Sequence, residues 1–124
     1  MSDVQRFIRS LRHAGRGVML VLRFERNFRI QMTVGLAVIG AFLLFPLAAW
    51  EKVVLLVVVA LVLVLELLNS SIERLLDLLK PRLDVYAGDV KDMMAGAVLI
   101  ASLCAILVGL IIFWPHLASM LAHV

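Results

Sequence analysis

From Val4 onward the apolar positions Val4, Phe7, Ile8, Leu11, Ala14 and Val18 recur at helical spacing, with Arg6, Arg9, Arg12, His13 and Arg16 between them. The pattern predicts an amphipathic helix over 1–27 that lies on a membrane surface, its arginines reaching to headgroups. It leads into the polar stretch Glu25-Arg26-Asn27-Phe28-Arg29, where Asn27 is placed to cap the next helix. Three long apolar runs follow. Residues 32–50 are uncharged, with Pro46 set to kink or end their helix early. Glu51-Lys52 reads as a very short turn. The second run starts at Val53 and is apolar to Leu65, then carries Glu66, Asn69 and Glu73. The third spans 93–114 and is followed by Pro115. About 20 residues cross the hydrocarbon core, so the first and third runs qualify outright. The second qualifies only if Glu66 is sheltered from lipid. The expected fold is an all-α membrane protein with one domain over 1–124. It has an N-terminal amphipathic surface helix (1–27) and three transmembrane helices at 30–50, 53–79 and 90–114.

Composition supports that class. The chain is 64% apolar with a mean hydropathy of +1.07, far above an ordinary soluble domain. The formal charge of +3 is unevenly placed. Arg6, Arg9, Arg12, Arg16, Arg23, Arg26 and Arg29 crowd the beginning of the chain, which beside apolar spans points to an anionic leaflet and not to nucleic acid. The amphipathic opening argues against a cleavable signal peptide, and the lone Cys104 forms no internal disulfide or metal motif. Nearly all Lys and Arg lie in the N-terminal arm and in 74–92, so both are expected in the cytoplasm and the C-terminus outside. Trp50 and Trp114 then fall at the outer interface. His116 and His123 read as solvated residues of the outer tail.

The polar residues of the second run carry the candidate chemistry. Glu66, Asn69, Glu73 and Asp77 fall within an arc of roughly 80° over about 16 Å of helix. A carboxylate at mid-depth costs at least ~2.5–3.5 kcal/mol to insert, so Glu66 needs protonation, a partner or a polar cavity. Taken singly, these residues leave open a bland account. Glu66 and Asn69 can simply tie helices together, Asp77 can be an interface residue, and Lys91-Asp92 can be a snorkelling lysine beside a capping aspartate. Glu25 can be an acid amid arginines on a wet surface. Their convergence at one level, carboxylates for a divalent cation and cations for phosphate, suits phosphoryl transfer. No Walker, kinase-type or nucleophile-elbow motif is present.

The run Glu66-Leu67-Leu68-Asn69-Ser70-Ser71-Ile72-Glu73-Arg74-Leu75-Leu76-Asp77 closely resembles the E-x-x-N-[ST]-[AS]-I-E-x-x-x-D core of the bacterial integral-membrane diacylglycerol kinase and undecaprenol kinase family. Gly88-Asp89-Val90-Lys91-Asp92 resembles its G-x-x-K-D element, and the N-terminal arm through Arg29 is similar as well. The resemblance covers essentially the whole chain. It implies an ATP-dependent lipid kinase of the bacterial cytoplasmic (inner) membrane, a homotrimer with sites shared between subunits. It also implies the site residues. Glu66 would be the general base, with Asn69 and Lys91 completing the catalytic set. Glu25 and Glu73 would hold Mg2+ or another divalent cation. Arg6, His13, Glu25, Glu73, Asp77, Lys91 and Asp92 would serve the nucleotide, and Phe28, Arg29, Glu66 and Ala95 the lipid alcohol. His13 stands where an aromatic is common, Asp89 where a base is frequent, and Ala95 where some diacylglycerol kinases have Ser. The stretch 81–86 matches its counterpart poorly and carries no assigned role. Two accounts from other classes remain: a non-catalytic oligomeric scaffold, or a small cation or proton conduit through Glu66 and Glu73.

Overall fold

A computed structural model of the chain describes residues 1–79 and 84–124. Among the described residues four helices follow in order: α1 (Asp3–Phe24), α2 (Arg26–Ala41), α3 (Ala49–Leu79) and α4 (Asp84–Ala122). Part of the poorly matching stretch, 81–83, lies outside the described residues.

Helix α1 begins with a reciprocal cap. Gln5 N donates to Ser2 Oγ at 3.3 Å and Ser2 N donates to Gln5 Oε1 at 3.1 Å, satisfying two amides that the first turn leaves without partners. Its arginine face and most of its apolar face are exposed, as a helix resting on a bilayer requires. At its far end Glu25 is extended (φ −109°, ψ 110°) and breaks the path between α1 and α2. Glu25, not Asn27, holds the N-cap position of α2, and no side chain caps it. The joint is fixed from the other side. Arg29 Nη1 donates to the carbonyls of Leu22 at 3.0 Å and Arg23 at 2.9 Å, a cation on the helix's negative end.

The helix expected over 30–50 divides. Its first part, α2, stops at Ala41, and the amides of Phe42, Leu43 and Leu44 each bond back three residues at 3.1 Å. Pro46 explains the break: its ring would collide with the Phe42 carbonyl, and it disfavours helical geometry at Phe45. The connection runs over 42–48, so Glu51 and Lys52 lie in the first turn of α3 and not in a turn between helices. Glu51 is there for a reason: its Oε1 accepts the Ala48 amide at 3.0 Å, stapling the start of α3. At 16 residues, α2 covers about 24 Å, and two helices, α3 and α4, are long and apolar enough to cross a membrane. Only 22% of the most apolar window of α3 and 11% of that of α4 is buried, the reverse of a soluble core helix. The chain is an all-helical membrane protein.

At 39 residues α4 exceeds the expected 90–114 at both ends. It passes through Pro115, whose missing amide costs one helical bond. The turn beyond is held by His116, whose Nε2 lies 3.2 Å from Glu51 Oε2, while Phe45 packs edge-on against Phe113 and His116. His116 is therefore sheltered and paired instead of solvated; His123 is exposed. Leu47, Leu55 and Ile112 form the buried centre of this end. Higher up, α2 approaches α3 at Gly35, where an added Cβ would meet Val59 Cγ1 at 2.7 Å. Val59 is β-branched and cannot swing away freely. Gly35→Val is expected to destabilise the protein by about 1–3 kcal/mol through overpacking, read as a lower midpoint of thermal unfolding in detergent.

Candidate active site

Along α3 one face carries Leu55, Val62, Glu66, Ser70 and Leu76 inward. Four-residue steps from Val62 to Glu66 to Ser70 keep that face turned to α2 and α4. Glu66 is thereby only 2% exposed and Ser70 1%, which meets the condition that the acid be sheltered from lipid. A residue outside the motifs completes its surroundings. Gln31 on α2 donates through Nε2 to Glu66 Oε2 in a long hydrogen bond of 3.5 Å. Its only trace in the sequence is an amide side chain at the edge of the uncharged run 32–50, which gains meaning once the facing helix is known. Glu25, from the α1–α2 joint, and Glu73, two turns along α3, both place negative charge where it acts on Glu66, and the Asn69 amide lies beside the same carboxylate.

Three side-chain polar atoms in this region are buried without a hydrogen-bond partner: Gln31 Oε1, Asn69 Oδ1 and Ser70 Oγ. Buried polar atoms without partners are uncommon and ask for a ligand or another subunit. Further along the stripe, Lys91 Nζ on α4 meets Asp77 Oδ1 at 2.8 Å. Lys91 and Asp92 sit within α4, about two turns from its start, so Asp92 does not cap that helix.

The structure thus brings Glu25, Glu66, Asn69 and Glu73 to one place and Asp77 with Lys91 to another. Glu66 and Asp77 are about 16 Å apart along α3. Arg6 and His13 are exposed on α1, about 28 Å and 18 Å of helix from Glu25. Within one chain they do not join the cluster; Arg6 lies 3.8 Å from Asp3. Phe28 is buried at 1% exposure, Arg29 caps α1, and Asp92 and Ala95 are exposed. Arg74 stands over the Phe24 ring at 5.8 Å and ties the end of α1 to α3. Among the described residues no group of three His, Cys, Asp or Glu side chains could hold a metal by itself.

Fold and cluster together define an all-helical membrane protein built around a buried carboxylate. The chain belongs to the prokaryotic diacylglycerol kinase family, whose sequence profile matches residues 12–113. It is 34% identical over 116 residues to an undecaprenol kinase of Bacillus subtilis, covering 94% of each chain. It is 40% identical over 113 residues to a diacylglycerol kinase of Synechocystis, covering 90% of this chain and 65% of that one. A diacylglycerol kinase of Escherichia coli is 34% identical over 112 residues, with 90% and 91% covered. As a member of this family the chain is a lipid kinase, and a kinase draws its phosphoryl group from ATP.

Proposed function

We propose that the chain transfers the γ-phosphoryl group of ATP to the hydroxyl of a membrane lipid alcohol, diacylglycerol or undecaprenol. It does so as a homotrimer in the bacterial cytoplasmic membrane, with the N-terminus cytoplasmic and the C-terminus outside. The observation that carries the chemistry is Glu66, a carboxylate buried at the level of the spans and surrounded by further acids and amides. Positive charge at the α1 end of the chain supports the orientation. The uncharged stretch 32–50 supports a third crossing, made by α2 together with the apolar connection that follows it.

Glu66 accepts the proton of the lipid hydroxyl as that oxygen bonds to the γ-phosphorus. The bond from the γ-phosphorus to its bridging oxygen breaks, and ADP leaves with the electron pair. Lys91 offsets charge on the transferred group, and Asp77 holds its ammonium. Arg6 and His13 lie toward the nucleotide, with Asp92 beside the phosphates, while Phe28, Arg29 and Ala95 border the lipid. A divalent cation bound with the triphosphate would supply neutralisation of its negative charge. Glu25 and Glu73 are the residues that would hold it. Magnesium takes one or two carboxylates and completes its shell with phosphate oxygens and water. A pair of carboxylates near the unpartnered Asn69 Oδ1 suits that demand, and an all-protein cage is not required.

The separation of Glu66 from Lys91 supports shared sites. One γ-phosphoryl group cannot touch two residues at opposite ends of a 16 Å stripe, but the base of one subunit and the lysine of the next can converge on it. The apolar exposure of α3 and α4 leaves ample surface for such association. The reading is tested with purified protein in nanodiscs supplied with labelled ATP, magnesium and either lipid alcohol. Label is expected in a phosphorylated lipid. Its absence with both lipids would leave the scaffold or conduit accounts. Glu73→Gln is expected to raise the KM for magnesium-ATP about ten- to a hundredfold, measured by initial rates at varied nucleotide.

A further inference from the structure

Between α2, α3 and α4 lies an apolar cavity of about 180 Å³ that opens as a groove to the outside of the helices at Ile30, Val34 and Ile106, each more than half exposed. Ile30, Val34, Val59, Val62, Ala105 and Ile106 form most of its wall. Among the described residues, the polar side chains lining it are Gln31 and Ser102. Gln31 is the same side chain that reaches Glu66, and its Oε1 is buried without a partner. Val62 and Val59 precede Glu66 by one and two turns, so the cavity extends about 6–10 Å along α3 into its uncharged part, away from Glu73 and Asp77. A chain whose hydroxyl rests at Glu66 has this space directly beneath it.

We propose that the cavity seats the hydrocarbon chain of the lipid alcohol, and that its lining selects an alcohol without ester groups, a polyprenol and not a diacylglycerol. The proposal rests on the lipid-kinase reading above and adds the substrate class. In a polyprenol every carbon below the hydroxyl is hydrocarbon, which matches a wall of valine, isoleucine and alanine. In a diacylglycerol two ester carbonyls follow within a few bonds of the hydroxyl, and each needs a donor when removed from interfacial water. Ser102 has one hydroxyl to give, and the Gln31 amide nitrogen is directed to Glu66. A small apolar pocket discriminates against an added polar group by about a hundredfold at most. That bound sets the scale of the preference.

The test uses the full chain in nanodiscs with ATP and magnesium, comparing undecaprenol with dioleoylglycerol at equal mole fraction. The expected kcat/KM is about ten- to a hundredfold higher for undecaprenol. Equal or faster turnover of dioleoylglycerol overturns the cavity's selectivity while leaving the kinase intact. No product from either lipid removes the kinase reading and this proposal with it. Two variants locate the chain. Ala105→Phe fills the cavity and is expected to raise the lipid KM about tenfold with the ATP KM unchanged; an unmoved lipid KM places the chain elsewhere. Val34→Thr keeps the volume and adds one hydroxyl to the wall, so it is expected to narrow the preference for undecaprenol severalfold. A preference that stays constant in this variant counts against selection by the lining.

Discussion

Glu66→Gln is expected to lower kcat for lipid phosphorylation by at least 10²–10⁴-fold, the range that general-base catalysis contributes, while nucleotide binding changes little. The substitution is nearly isosteric, and the new amide still has an oxygen to accept from Gln31 Nε2, which now lies 3.5 Å from the carboxylate. Packing at a position that is 2% exposed is therefore kept. On the base role proposed for Glu66, what is lost is the ability to take a proton from an alcohol whose own acidity is far too weak to supply an alkoxide. Glu25 and Glu73 would not replace it if, as proposed, they hold the metal and triphosphate. The measurement is a pair: initial rates of label transfer to lipid, and ATP affinity by equilibrium binding, on protein checked for unchanged oligomer size. A variant that loses binding together with turnover would assign Glu66 to the nucleotide. A variant that changes only the oligomer would favour a scaffold.

What the sequence discloses and what it conceals follow from range. The face of α3 was legible because its polar residues recur at helical steps, and a carboxylate directly after the apolar run 53–65 can be tolerated only when turned inward. The surface helix was legible for the same reason, and its bounds differ little from those expected. Features that depend on two segments far apart were not. Gln31 and Glu66 are 35 residues apart and His116 and Glu51 are 65 apart; nothing local in either member marks the pairing. Asn27 does not cap α2, because the extended residue that separates α1 from α2 is Glu25, and Arg29 supplies capping bonds to the end of α1 from the following helix. Pro46 reads as a breaker, but the break begins four residues ahead of it, where the tightened turn from Phe42 to Leu44 starts. Pro115 follows the expected 90–114 helix, yet α4 continues through it, because the turn beyond it is secured by Glu51 and Phe45. Relative placement along the stripe was also hidden: a linear motif gives Glu66, Asp77 and Lys91 without saying that the last two pair away from the first.

That pairing makes Lys91 the second residue whose removal should be severe. Lys91→Met keeps the length and apolar stem of the side chain and removes its charge. If the ammonium neutralises charge that develops on the transferred phosphoryl group, kcat is expected to fall about 10²–10³-fold, as when one preorganised donor is lost from a transition state. Stability should hardly move. The Asp77 side chain is 59% exposed and that of Lys91 29%, and ion pairs in such settings contribute about 0–1 kcal/mol. An activity loss without a matching drop in the unfolding midpoint therefore separates a role in chemistry from one in holding α3 to α4. Lys91→Arg sharpens the distinction. It retains an ion pair with Asp77, so a purely structural lysine would be rescued in full. A planar guanidinium does not occupy the position of a compact ammonium, so a lysine that meets the phosphoryl group should recover only part of its rate. Full recovery of kcat in Lys91→Arg, or a loss in Lys91→Met that tracks unfolding, would confine Lys91 to the α3–α4 contact.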